Sequence, residues 1–142
     1  MKTVAQLLAL KPSDIVGIAP DATVLDALKL LAEKNVGAVL VMDGPRLVGM
    51  FSERDYARKV DLKGKSSANT PVSEVMTREV VFITPTHTNE DCMALMTDKR
   101  VRHLPVVAND QVVGLLSIGD LVKDIISEQQ FIISQLESYI HR

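Results

Sequence analysis

Apolar positions along this chain switch between two periods, and the order of the switches recurs. Ile15-Val16-Gly17-Ile18 is a short apolar run stopped by Pro20, which predicts a strand. Val24, Leu25, Leu28 and Leu31 then recur at helical spacing to about Lys34. Thr23-Val24-Leu25-Asp26 marks the start of that helix, a hydroxyl residue followed three positions later by an acid. Val36 to Met42 is a β-branched-rich run, Asp43-Gly44-Pro45 a turn signal and Leu47 to Phe51 a second strand. Glu53 to Val60 reads as a helix.

The same order returns further on. Val80 to Ile83 predicts a strand stopped by Pro85, and Thr88-Asn89-Glu90-Asp91 a helix start, with Met93 and Met96 where the first copy has Leu28 and Leu31. Val101 to Val107 and Val112 to Leu116 predict strands joined through Asn109-Asp110, and a helix begins near Ser117. Pro20 to Val60 aligns without a gap on Pro85 to Ile125, so the offset is 85 − 20 = 65 throughout. The lead-ins match too, Val4-x-x-Leu7-Leu8 against Val72-x-x-Val75-Met76, with about three extra residues around Leu10 to Ser13 in the first copy.

Each copy therefore reads β-α-β-β-α, with an antiparallel hairpin wherever two strands are joined by a few residues. One such unit covers only one side of its small sheet, so two must pack together to close a core. The expected fold is α+β: two β-α-β-β-α repeats packed with pseudo-two-fold symmetry, plus a C-terminal helix. The expected division is 1–62 for the first repeat, 63–71 for a polar linker, 72–127 for the second repeat and 128–142 for a helical extension. Beyond Asp120, Leu121, Val122, Ile125, Ile126, Ile132, Ile133, Leu136 and Ile140 fall on one helical face. The first half of that helix has a sheet to cover. The second half, with Phe131 and Tyr139, has nothing else in the chain to cover and is expected to meet another subunit.

Composition narrows the function. The chain has 142 residues, 46% hydrophobic and 24% charged, enough for a real core. A net charge of −2 and the absence of Trp argue against nucleic acid as a partner. No run approaches the roughly 18 apolar residues of a membrane span, and the N-terminus lacks a secretory pattern, so no membrane partner and a cytoplasmic location are expected. Cys92 is single, on the apolar side of a helix, and reads as a packed thiol. His87 and His141 have no other ligand types at metal spacing, so no metal is expected. Gly64-Lys65-Ser66 imitates the end of a phosphate-binding loop, but the required earlier glycine falls on Lys59.

The best chemical candidates are Ser52-x-x-Asp55 and Ser117-x-x-Asp120, each following a strand and opening a helix. One reading is a capping box that holds the helix start. The other is a ligand site, in which the helix N-terminus suits phosphate and the carboxylate accepts vicinal ribose hydroxyls. The residues alone leave both open.

The combination of Val48-Gly49 before Ser52-Glu53-Arg54-Asp55-Tyr56, Thr70-Pro71-Val72-Ser73-Glu74-Val75-Met76-Thr77, and Val101-Arg102-His103-Leu104-Pro105-Val106-Val107 resembles the tandem CBS-domain pair. The likeness runs from about Val4 to Ile126 and is greatest to small stand-alone bacterial members. It implies an adenine nucleotide (AMP, ADP, ATP or NAD(H)) in a cleft between the repeats. On that resemblance Asp55 and Asp120 hold ribose hydroxyls, and Ser52 and Ser117 lie beside ribose and phosphate. Arg102 and His103, just before Leu104-Pro105, approach phosphate. Thr77, Val81 and Phe82 contact adenine or its ribose. Val16, Gly17, Gly37 and Ala38 form the equivalent wall of the other cleft. The copies differ: Arg54 has Gly119 as its counterpart, and Arg102-His103 has Gly37-Ala38. The cleft with Ser52, Arg54, Asp55, Arg102, His103 and Pro105 is thus expected to be the better phosphate site.

The implied function is a non-enzymatic regulatory module, an energy or redox sensor that reports nucleotide through conformation or assembly. It would work as a homodimer or higher homo-oligomer with an unknown effector protein. The alternatives are a structural dimerisation module without a ligand, or a nucleotide-processing enzyme, for which neither an acid cluster nor a positioned base is visible.

Overall fold

The computed structural model describes residues 1–11 and 15–141, so part of the extra segment around Leu10 to Ser13 lies outside the described residues. Its elements are α1 (Val4–Ala9), β1 (Gly17–Ile18), α2 (Val24–Lys34), β2 (Ala38–Asp43), β3 (Arg46–Ser52) and α3 (Glu53–Asp55), which runs into a π-helical turn at Tyr56–Asp61. A 3-10 turn follows at Val72–Glu74, then α4 (Asn89–Lys99), β4 (His103–Ala108), β5 (Gln111–Ser117) and α5 (Ile118–Ile140). The α+β class holds. β1, β2 and β3 form one sheet, with β1 parallel to β2 and β2 antiparallel to β3, and β4 and β5 form a second.

Capping boxes open the helices where the hydroxyl-x-x-acid signal placed them. Thr23, Ser52, Thr88 and Ser117 each accept from the backbone N–H three residues on, and the acid there accepts from the cap's own N–H. Each box satisfies two donors that a helix end otherwise leaves bare. The turn between β4 and β5 carries positive φ at both Asn109 (52°) and Asp110 (62°), as a two-residue type I′ hairpin requires.

The expected strand over Val80 to Ile83 does not form. Only Ile83 pairs, as one parallel bridge with Val106. Its N–H donates to the Pro105 carbonyl (3.0 Å) and its own carbonyl accepts from Val107 N–H (2.9 Å). In the first repeat the ladder extends one step further because Leu40 N–H donates to the Val16 carbonyl (2.9 Å). The corresponding residues, 65 further on, are Pro105 and Val81. Proline has no N–H to give, so the ladder stops.

The chain falls into two compact units, and the lead-ins are exchanged between them. One unit runs from the first repeat to Val81 and takes in Asn109–Val113; the other holds the N-terminal segment, Phe82–Ala108 and the chain from Gly114 onward. In the first of these Val72 N–H donates to Ala22 (2.8 Å), Ser73 N–H to Pro20 (3.1 Å) and Val24 N–H to the Thr70 carbonyl (2.9 Å). In the second Val4 N–H donates to His87 (2.8 Å), Ala5 N–H to Pro85 (3.1 Å) and Asn89 N–H to the Lys2 carbonyl (3.0 Å). Each repeat is thus clamped by the segment that precedes the other copy, through the same three backbone bonds.

Packing follows the clamp. Val72, Val75 and Met76 join Val24, Ala27, Leu31, Val39, Val41, Phe51 and Val60 in one buried cluster. Val4 and Leu7 are likewise buried in the other unit, as are Cys92, Met96, Leu104, Val106, Leu116 and Leu121. On α2 it is Ala27, not Leu25, that turns inward; Leu25 is exposed. Burial pushes the Cys92 thiol up to about 11, so it packs as an uncharged side chain.

Gly49 and Gly114 make room for the lead-ins. A Cβ on Gly49 would sit 2.5 Å from Met76 Sδ and 3.0 Å from the Thr77 carbonyl oxygen, and one on Gly114 2.6 Å from Leu8 Cδ2. Gly49→Ala and Gly114→Ala are each expected to lower unfolding free energy by about 1–3 kcal/mol, the usual cost of overpacking. The Gly49 change should cost more, because part of its obstruction is backbone. Urea unfolding of the two variants measures this, and a loss under about 0.5 kcal/mol, the scale of an ordinary surface change, contradicts the close-approach account.

Candidate functional site

The Ser-x-x-Asp motifs stand at the same structural position in both units, where a strand ends and a helix starts. Their first-turn amides are mostly engaged. Glu53 N–H donates to the Gly37 carbonyl (3.1 Å) and Ile118 N–H to the Arg102 carbonyl (2.9 Å). Asp55 N–H and Asp120 N–H donate to their serine hydroxyls, both at 3.2 Å. What these sites present is therefore side-chain chemistry more than a bare helix end.

Asp55 is the hub of the first. Its Oδ2 accepts from the N–H (3.0 Å) and hydroxyl (3.1 Å) of Ser52. Its Oδ1 accepts from the Thr77 hydroxyl (2.9 Å) and pairs with Lys59 Nζ at 3.0 Å. Lys59 also donates to Thr77 Oγ1 (3.3 Å), closing a triangle. Thr77 is held in place by two backbone bonds with Met50, a direct product of the lead-in clamp. The Asp55 side chain is 10% exposed and that of Lys59 43%.

Asp120 has different company. Its Oδ2 accepts from Ser117 N–H (2.8 Å) and from Lys11 Nζ (2.7 Å), and Lys11 also donates to the Leu115 carbonyl (2.7 Å). The Asp120 side chain is 28% exposed and that of Lys11 32%. Burial works to raise the Asp120 carboxyl, but the Lys11 hydrogen bond and charge with the Ser117 N–H outweigh it and hold it below the usual carboxylate range.

The other expected contacts differ in exposure. Phe82 is exposed and Val81 half-buried, whereas Ala38 and Pro105 are buried. Gly17 lies exposed in β1 and Val16 half-buried beside it. Arg102 is exposed and His103 opens β4; both belong to the unit of Asp120, while Ser52, Arg54, Asp55 and Thr77 belong to the other. Sequence reasoning missed both lysines. Lys59 was findable, since it stands four residues after Asp55 on the same helix. Lys11 was not, because it reaches Asp120 across 109 positions from the extra segment of the lead-in.

A CBS-domain family model matches residues 10–61 and again 72–127. The chain belongs to the CBS-domain family. Over 125 residues it is 39% identical to the mitochondrial CBS domain-containing protein CBSX3 of Arabidopsis thaliana, covering 84% of this chain and 61% of that protein. A solved CBS-domain protein of Burkholderia ambifaria is 49% identical, with a TM-score of 0.87 over 90% of this chain and 96% of that one. The CBS domain protein PAE2072 of Pyrobaculum aerophilum, solved in complex with AMP, is 25% identical, with a TM-score of 0.74 over 83% and 88% of the two chains. A hexameric CBS-CP12 protein from bloom-forming cyanobacteria is 27% identical, with a TM-score of 0.75 over 86% and 70%. Among the described residues no helix is long and apolar enough to cross a membrane, and no group of three or more His, Cys, Asp or Glu could hold a metal.

The position of Lys59 corresponds to Asp124 in the second CBS repeat (59 + 65 = 124), and there the charge does a structural job. Asp124 is almost fully buried, pairs with Lys2 Nζ (2.8 Å) and accepts from Asn89 Nδ2 (2.8 Å). Burial works to raise the Asp124 carboxyl, but the hydrogen bonds from Lys2 and Asn89 and the charge of Lys2 hold it below the usual range. The Asp124 hydrogen bond raises Lys2 from its ordinary value. A lowered acid stabilises the fold above its unfolded value and loses that contribution as pH falls through the folded one; a raised lysine loses its contribution as pH climbs past its folded value. Asp124→Asn is therefore expected to be less stable than the parent near neutral pH, with the gap closing below about pH 4, the ordinary carboxylate range. Chemical denaturation at several pH values measures it, and a gap that stays constant into acid removes the assignment.

Proposed function

We propose that the chain is a non-catalytic regulatory module that binds an adenine nucleotide (AMP, ADP, ATP or NAD(H)) at its Ser-x-x-Asp helix starts and signals occupancy through conformation or assembly. The observation that carries this reading is the duplicated set of carboxylate, serine hydroxyl and lysine ammonium at Asp55/Ser52/Lys59 and Asp120/Ser117/Lys11. A carboxylate accepts both vicinal hydroxyls of a ribose, and an ammonium within reach of the same carboxylate suits a phosphate. The residues present thus fit the ligand class. The AMP complex of the Pyrobaculum relative supports the same class. On the family resemblance, Thr77, Val81 and Phe82 would contact adenine or its ribose and Arg102 and His103 the phosphate, with Arg54 and Pro105 in the same cleft and Val16, Gly17, Gly37 and Ala38 as the wall of the other.

Asp55→Ala and Asp120→Ala are each expected to weaken nucleotide binding by about 1–3 kcal/mol, the cost of stranding a hydrogen-bonding partner. Titration calorimetry with AMP, ATP and NADH measures it. The melting temperature of the parent should rise with the ligand that binds, since a ligand selective for the folded state must stabilise it. No shift with any adenine nucleotide favours the dimerisation module instead, and turnover of nucleotide with Mg²⁺ favours an enzyme.

Assembly with copies of the same chain belongs to this reading. Phe131, Ile132, Ile133, Leu136, Tyr139 and Ile140 on the distal half of α5 are all more than half exposed. Ile132 also lines a groove of about 330 Å³ with Met1, Met93 and Ile125. The occupant proposed for this surface is a second copy, and the hexameric cyanobacterial relative supports homo-oligomers for such folds. A chain ending at Ser127 is expected to sediment as a smaller species than the parent at equal concentration; an unchanged species contradicts the role of α5.

A further inference from the structure

The lysine that holds Asp120 is a feature of one copy. Lys11 comes from the segment by which the first lead-in exceeds the second, and the helix position that supplies Lys59 to Asp55 is occupied by Asp124 in the second repeat. The second copy therefore obtains its ammonium from a different part of the chain. Two of the three N–H donors of Lys11 go to Asp120 Oδ2 and the Leu115 carbonyl, each at 2.7 Å. Asp120 and Lys11 are each about 30% exposed, so an incoming hydroxyl pair can reach the carboxylate and a released ammonium can reach the ligand. The Ser52 site has the same elements, but there Asp55 Oδ1 is shared by Thr77 and Lys59 and the carboxylate is only 10% exposed. Arg102 and His103 led us to expect the stronger phosphate chemistry at Asp55, with no cation for the Asp120 copy; Lys11 supplies one.

The geometry points to Lys11 as the ligand-discriminating residue of the Asp120 site: ribose hydroxyls displace its ammonium from the carboxylate, and the ammonium then binds the ligand's phosphate. This rests on the reading that Asp120 holds a ribose. No bond is made or broken; one ion pair is exchanged for another. A ligand with ribose but no phosphate takes the carboxylate and leaves Lys11 with only the Leu115 carbonyl and solvent, so a charge-assisted bond is lost without replacement. A ligand that carries a positive charge instead meets a like charge. The class selected is thus adenosine phosphates over adenosine itself and over cationic adenosine derivatives such as a sulfonium.

The test uses the full chain carrying Asp55→Ala, so that one site reports, and calorimetric titration with AMP and with adenosine. AMP is expected to bind at least about tenfold more tightly than adenosine, the scale of one charge-assisted hydrogen bond. Lys11→Met keeps the length of the stem and removes the charge. It should abolish the AMP preference and leave adenosine binding equal or tighter, because the carboxylate no longer has to be vacated. Lys11→Arg should restore most of the preference, and added KCl should shrink it in the lysine and arginine proteins but not in the methionine one. If Lys11→Met keeps the AMP-to-adenosine ratio, or weakens both ligands equally, the discriminating role is wrong and Lys11 is a structural clamp on Leu115. If the same background binds neither ligand, or Asp120→Asn binds both unchanged, the ribose reading of the site fails and not the lysine proposal alone. Melting temperatures of the variants separate misfolding from loss of a contact.

Discussion

Three backbone hydrogen bonds, made twice, hold this chain in its form. They run between the segment before one repeat and the helix start of the other. Several contacts near the motifs follow from them. The lead-in places Met76 and Leu8 so close to a strand that a Cβ at Gly49 or Gly114 would force a neighbour to shift. It places Thr77 on the edge of β3, where its hydroxyl reaches Asp55. It brings Lys11 to within an ion-pair distance of Asp120. A repeat here is a unit of sequence; the unit of packing is a repeat plus its neighbour's lead-in.

The exchange also bears on the two readings of the Ser-x-x-Asp motif, because it brings Thr77 to Asp55. Capping and ligand binding look like rival uses of one carboxylate, but the oxygens can divide the work. In Asp55, Oδ2 serves the cap and Oδ1 faces Thr77 and Lys59. A hydroxyl pair can compete for the second oxygen while the cap bond on the first keeps the helix start in place. The cap is then what preorganises the carboxylate, since a side chain already fixed by one bond loses less freedom on making the next.

Much of this was legible. The 65-residue offset, the capping boxes and the turn through Asn109-Asp110 all rest on local chemistry that spacing reveals. The strand expected at Val80 to Ile83 failed for a local reason as well, but one written on its partner: apolar pattern marks a segment as able to pair, and it is Pro105 that refuses the bond. Leu25 on α2 failed similarly, because helical spacing fixes a stripe without fixing which edge of it faces inward. The exchange of lead-ins was not legible at all. Val4-x-x-Leu7-Leu8 and Val72-x-x-Val75-Met76 are apolar in the same places, and nothing in the pattern states which copy each covers.

Divergence between the copies is where sequence comparison and structure inform each other most. Substitutions at matched positions, such as Arg54 against Gly119, are visible by alignment, and they suggested one cationic site and one neutral site. The charge at Asp120 instead arrives from residues that have no match, in an insertion. Meanwhile the matched position that could have supplied it, Asp124, has reversed sign and become the buried anchor of Lys2 and Asn89. Had that position kept a lysine, Lys2 would face a like charge and the N-terminal clamp would lose its ion pair. With Asp124 engaged by Lys2 and Asn89, the lysine that pairs with Asp120 is Lys11 of the lead-in. Each motif aspartate thus pairs with a lysine, but Lys59 comes from the following helix and Lys11 from the lead-in, so aligning the two copies position by position does not reveal the second pair.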